Sequence, residues 1–198
     1  SGELGDLNAI TSVANSNKTE SSIGKFGVGF KAAFQYTETP YIYDSVFRFK
    51  LERLFVPVLL TEDHPEHKKD ETLFVFPFNH PSRNASTAFT EISKKLRCLI
   101  YPILFLNNLQ ELSFTIQSDE EPLHGEYKKE EIWSQDFDDV HAGLLSLEYS
   151  AGHDERKEKL WMFSRKLDVG NICVGYLANE DDTLRPCQHS AFCFFPTK

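Results

Sequence analysis

The sequence predicts an α+β fold. Helix-like and strand-like segments alternate as far as residue 108, and from Leu109 onward only strand-like segments follow. Phe is abundant, 17 of 198 residues, which suits sheet packing. With 40% hydrophobic and 26% charged residues the chain can bury a core of its own. The expected division is 1–108, mixed helix and strand, and 109–198, rich in strands.

The elements follow in order. Asp6 to Asn15 reads as a short helix, because Leu7, Ile10 and Val13 recur three apart on one face. Asn15 to Ser22 is a polar loop. A glycine-rich turn follows, and Phe30 to Tyr36 reads as helical until Pro40 ends it. Tyr41 to Tyr43 is a short strand, and Val46 to Leu51 alternates so that Phe47, Phe49 and Leu51 share one side. Thr61 to Asp70 reads as a solvated loop, and Thr72 to Phe78 as a buried strand. Ser86 or Thr87 caps a helix running to about Leu99, with Phe89, Ile92, Leu96 and Leu99 on its apolar face. The back half holds strands at Leu112–Gln117, Tyr127–Trp133, Leu144–Tyr149, Leu160–Ser164, Ile172–Leu177 and Ala191–Phe195. Turns separate them at Ser118-Asp119, Ala151-Gly152 and Asn179 to Asp182. The Phe and Leu of this half read equally as core or as a protein interface. Both ends read as cut from a longer chain.

Charge and composition exclude several partners. Lys plus Arg is 21 and Asp plus Glu is 30, a net charge of -9. A general grip on nucleic acid needs excess cation, so none is expected. The best uncharged run, Leu99 to Gln110, is shorter than the ~18–20 residues of a membrane span, so no membrane partner is expected either. No basic-then-apolar leader opens the sequence, and the four Cys form no CxxC pair; both fit a cytoplasmic, reducing setting.

The sharpest feature is Ile23-Gly24-Lys25-Phe26-Gly27-Val28-Gly29-Phe30-Lys31. Its glycines let a ligand approach the backbone closely, and a helix start supplies unpaired N–H groups. Lys18, Lys25 or Lys31 would add positive charge, so the segment has the makings of a phosphate cradle. The P-loop pattern is absent, because no glycine is followed by Lys-Ser or Lys-Thr. Gly27-Val28-Gly29-Phe30-Lys31-Ala32 matches the dinucleotide pattern, yet the residues before it are polar where a buried strand is required. A glycine turn that only lets a helix pack tightly is the remaining plain alternative.

The box, preceded by Asn15-Ser16-Asn17-Lys18, resembles the lid and second glycine box of the GHKL ATPases, the gyrase, heat-shock chaperone, histidine kinase and MutL group. It is most similar to their sacsin-like, heat-shock-chaperone-like branch. The likeness continues through Thr39 to Tyr43, Val46 to Phe49 and Glu71 to Phe78, and covers about residues 5–117. It implies part of a two-layer α/β (Bergerat-type) sandwich, with helices on one face of a mixed sheet, followed by a β-rich segment. It implies ATP or ADP with Mg²⁺ as cofactor, and a client protein or homodimer partner. Gly24, Gly27 and Gly29, with Lys25 and the backbone of Phe26, Val28 and Phe30, would then hold the β- and γ-phosphates. Lys18, Ser16 and Asn15 would reach phosphate or ribose from the lid. Thr72 matches the strand Thr that meets adenine through water; its plain alternative is an ordinary strand residue.

Part of the family pattern is missing. The general-base Glu, the Mg²⁺-binding Asn and the D-x-G-x-G box with the adenine-binding Asp lie upstream of the lid in the family, and no such motif is found here. Glu3-Leu4 with Asn8-Ala9 imitates one of them at the wrong spacing. No catalytic residue and no metal ligand is therefore expected within the chain. The expectation is a phosphate half-site that binds nucleotide weakly and turns it over hardly at all. Two other classes stand beside it: a scaffold module with a degenerate GHKL fold, and a piece of an NAD(P)-dependent oxidoreductase.

The other clusters read as ordinary surface. His64-Pro65-Glu66-His67 lies in a polar loop beside two lysines, and Cys187, His189 and Cys193 are poorly spaced for zinc. No G-x-S-x-G elbow occurs, and the acidic stretch Gln135 to Val140 reads as a surface turn.

Overall fold

The computed structural model describes residues 30–54, 56–106, 108–117, 121–168 and 170–186. They are mostly β: two antiparallel sheets, one 3-10 helix and one α-helix. An α+β description holds only loosely, and the mixed sheet expected from sequence is corrected, since every described pairing is antiparallel. The chain forms two compact units that divide after Ile92.

In the first unit a 3-10 helix, Phe30–Gln35, precedes a sheet of β1 (Tyr41–Tyr43), β2 (Arg48–Glu52), β3 (Val56–Leu59) and β4 (Leu73–Val75), ordered β3-β2-β1-β4. The predicted alternation is realised. Ile42 pairs with both Phe49 and Phe74, and Ile42, Phe49 and Leu51 form a buried cluster on which Phe30, Phe34 and Phe47 pack. The periodicity gives no sign of β3 because Pro57 interrupts it; as an edge strand it tolerates a residue with no N–H to donate. The expected buried strand Thr72 to Phe78 is corrected to the shorter β4. This strand is also an edge, and it leaves Phe74 43% exposed.

The loop after β3 is less solvated than its polar sequence suggests. His67 has a side chain only 3% exposed, with Nδ1 at 2.8 Å from Asp63 and Nε2 at 3.0 Å from the Glu71 carbonyl. Its ring and that of His64 lie against Tyr43. The single described α-helix, α1 (Ala85–Arg97), is capped by Asn84 rather than by Ser86 or Thr87, so it starts two or three residues earlier than expected, and it ends two residues before Leu99. The Asn84 side chain accepts from the Ser86 N–H at 2.8 Å, satisfying an N–H that the helix start leaves unpaired. The expected apolar face is only partly realised: Ile92, Leu96 and Leu99 are half-buried and Phe89 is exposed, while the buried residue of the helix is Ala88.

The second unit is a meander of β5 (Glu111–Ile116), β6 (Leu123–Phe137), β7 (Val140–Ala151), β8 (Asp154–Leu167) and β9 (Gly170–Ala178), each paired with the next. These strands run several residues beyond the apolar segments that announce them, because exposed charged residues continue the ladders. On the inner face Leu145, Leu147, Leu160 and Met162 pack under Leu104. Lys129 donates from the same region to the carbonyls of Ile103 at 3.1 Å and Leu106 at 2.7 Å, closing the turns that carry Leu104.

A bulge between Glu131 and Trp133 shifts the alternation of β6. Trp133 thereby lands on the outer face, level with Leu144, Trp161 and Tyr176. The next outer row holds Ala142, Phe163 and Val174, and the last holds Phe137, Val140 and Ile172. Toward the other end the same face turns charged, with Lys128, Glu148 and Lys157 in one row.

Candidate functional site

Of the site residues expected from sequence, Phe30 and Thr72 fall among the described residues. Asn15, Ser16, Lys18, Gly24, Lys25, Phe26, Gly27, Val28 and Gly29 lie outside them, as do the predicted helix at Asp6 to Asn15, the turn at Ser118-Asp119, the strand at Ala191–Phe195 and Cys187, His189 and Cys193.

Phe30 opens the 3-10 helix and is half-buried. Its ring lies 6.1 Å from Phe34, 5.9 Å from Phe74 and 6.0 Å from Phe76. The residue directly after the glycine box is thus anchored on the first sheet. Asn79 fixes the turn that follows the helix: its side-chain oxygen accepts from the Glu38 N–H at 2.8 Å, and its amide donates to the Thr39 hydroxyl at 2.7 Å. No local pattern announces Asn79, because its partners are 40 residues away.

Thr72 stands one residue before β4, and so is not itself a strand residue. The Thr72 hydroxyl donates to Asp44 Oδ2 at 2.9 Å, and Asp44 Oδ1 accepts from the Val46 N–H at 3.1 Å. The Val46 N–H, and next the Thr72 hydroxyl, hold the Asp44 carboxyl below the ordinary carboxylate range. Asp44 is a site residue that sequence reasoning misses, since nothing in the sequence pairs it with Thr72.

Thr72 commits its one hydroxyl proton to Asp44, so the two groups turn only acceptor lone pairs outward. Such a set suits an amino donor, as on adenine, and is unsuited to phosphate. Among the described residues no group of three His, Cys, Asp or Glu is placed to hold a metal ion, and no helix is long and apolar enough to cross a membrane. The acidic stretch Gln135 to Val140, expected to be a surface turn, is corrected: only Asp138 and Asp139 form the β6–β7 turn and the rest continues the two strands, with Asp136 at 2.7 Å from His141 Nδ1 and Asp139 paired with Arg165.

No family model, no curated protein and no solved structure matches this chain.

Proposed function

We propose that the chain is the ATP-binding portion of a GHKL-type, heat-shock-chaperone-like ATPase, the first unit being part of its sandwich. The observation that carries this is the box Gly24–Gly29 with its lid lysine Lys18, ending on a phenylalanine seated against the sheet. The backbone N–H groups of Phe26 to Phe30 would hold the β- and γ-phosphates, with Lys18 and Lys25 offsetting their charge. Asn15 and Ser16 would reach the ribose or phosphate from the lid. The acceptor pair Asp44–Thr72 suits the amino edge of adenine. Mg²⁺ would be held by a residue outside this sequence, so no hydrolytic step is assigned to it. A client protein or homodimer partner, and a cytoplasmic setting, belong to the same proposal through the family likeness alone.

The test is thermal stability with Mg-ATP, ADP and NAD, on the chain and on Gly29→Ala and Lys18→Ala. A ligand at a hundredfold excess over its dissociation constant raises stability by about 2.7 kcal/mol. A rise with ATP or ADP that both variants lose is the expected result. A rise with NAD alone favours the oxidoreductase class. Silence toward every nucleotide, in the chain and in a longer protein carrying the upstream motifs, favours a scaffold.

A further inference from the structure

The outer face of the second unit's sheet is apolar at one end: Ala142 and Leu144 at its centre are buried, and the apolar residues flanking them on β6 and β9 are exposed. Trp133 is 40% exposed, Phe137 51%, Val174 41% and Tyr176 51%, and no described element covers them. The rings interlock: Trp133 meets Trp161 edge-on at 5.3 Å, Trp161 stacks on Phe163 at 6.2 Å, and Phe163 meets Tyr176 at 6.1 Å. Side chains held this way lose little freedom on binding, and Trp and Tyr are the residues that most often anchor interfaces.

The border of this face is acidic. Asp138 and Asp168 lie in the turns at one end, Glu130 in the row bordering the aromatic block on the other, and Glu180 and Asp181 in the loop beside Trp161. None of the five forms a salt bridge among the described residues. The nearest cations are already engaged, Arg165 by Asp139 and Lys159 by Asp182.

We propose that this face docks a polypeptide segment whose apolar side chains are flanked by Lys or Arg. The aromatic block supplies the contact area and the acidic border selects the charge. A second copy would bring the same acidic border against its own likeness, and an anionic membrane would meet repulsion, so neither is the favoured occupant. The inference stands apart from the nucleotide proposal and uses none of its residues.

Trp133 and Trp161 are the chain's two tryptophans, so its emission reports on this face alone. The full chain is titrated with a synthetic Leu/Lys peptide, a Leu/Glu peptide and a Ser/Lys peptide of equal length. The expected result is a blue shift and protection from acrylamide with Leu/Lys only, weakening as salt rises. Tyr176→Ser combined with Val174→Ser weakens the Leu/Lys response about tenfold or more. Glu130→Gln with Glu180→Gln weakens it and flattens the salt dependence; these exposed changes keep the test open should the serine pair fail to fold. No response to Leu/Lys, or an equal response to either control peptide, overturns the proposal. So does an emission change driven by self-association, or by anionic phospholipid vesicles.

Discussion

The ring of Phe114 lies over the α-carbon of Gly125, its partner in the β5–β6 register. A β-carbon built on Gly125 would stand 2.2 Å from Phe114 Cζ, far inside contact distance. The glycine is there because the ring occupies the place of its side chain. Gly125→Ala must therefore expel the ring, and the expected loss is about 1–3 kcal/mol. Phe114→Ala opens that space at its own cost. The double variant should be less destabilised than the two single losses summed, because the alanine at 125 then meets no ring. Chemical denaturation of the three variants checks this; strict additivity would mean that the ring and the glycine do not compete.

The β2–β3 turn holds a second local conflict. Arg53 and Leu54 have φ of 50° and 72°, a region that costs residues with a β-carbon roughly 1–2 kcal/mol. Replacing Leu54 with Gly relieves that cost, less the greater freedom glycine gains in the unfolded chain. Leu54 is exposed, so little packing is lost. The expected outcome is a rise in stability of about 0.5–1 kcal/mol, read as a higher melting temperature. An unchanged or lower value would remove the strain argument.

His141 makes the β6–β7 turn pH-dependent. Its ring faces Asp136 at 2.7 Å and Glu131 at 3.5 Å, and the hydrogen bond to Asp136, then that to Glu131, raise its pKa above 6.5. A base with a raised folded pKa contributes stability that is fully present below its unfolded pKa. That contribution is lost as pH rises from about 6.5 through the folded value. The ring is 46% exposed, so solvent screening keeps the effect small. The ring resonances of His141, followed by NMR from pH 5 to 9, should titrate above those of a free histidine. Asp136→Asn should bring the midpoint down, and a midpoint unmoved by that change would break the link.

How much of this was legible beforehand depends on the distance between partners. The alternation Phe47, Phe49, Leu51 identifies its strand because the signal is local, whereas the helix before it ends at Gln35, well short of Pro40, in a turn held by the distant Asn79. Edge status is not local: nothing within Thr72 to Phe78 says that only one neighbour will pair with it, so the apolar run implies more burial than an edge strand has. The outer aromatic face was hidden by the bulge at Ile132, which moves Trp133 to the opposite side from the one a strict period assigns. His67 reads as loop charge, yet Asp63 and Glu71 enclose it from both sides of the sequence. The contact of Thr72 with Asp44 spans 28 residues, beyond any local pattern.

That contact yields its own prediction. Thr72→Val removes the hydroxyl and keeps the shape, so Asp44 loses one of the bonds that hold its pKa down. An acid with a depressed folded pKa stabilises the fold above its unfolded value, and the contribution is lost as pH falls through the folded value. The variant should therefore lose about 0.5–1 kcal/mol at neutral pH and show a weaker dependence of stability on pH below about 4. Thr72→Ser should behave like the natural chain. A variant that leaves stability unchanged at both pH values would reduce Thr72 to an ordinary surface residue.

Lys129 carries the last prediction. Burial pushes its pKa down, yet its ammonium group donates to the carbonyls of Ile103 and Leu106. Those turns place Leu104 on the core cluster of β7 and β8, so one side chain ties the covering segment to the sheet. Lys129→Met keeps the stem and removes the donors, leaving both carbonyls without that partner. Hydrogen bonds from a charged group are worth about 1.5–3 kcal/mol in such settings. The expected loss is of that size, with amide exchange accelerated first at Leu104 and Leu106, whose N–H groups close the turns. Because a lysine with a depressed folded pKa opposes folding while both states are charged, the natural chain should gain stability as pH rises from the folded value toward about 10.4. Lys129→Met should lack that gain. If methionine proves neutral and exchange at Leu104 is unaltered, the segment is held by Leu104 packing alone.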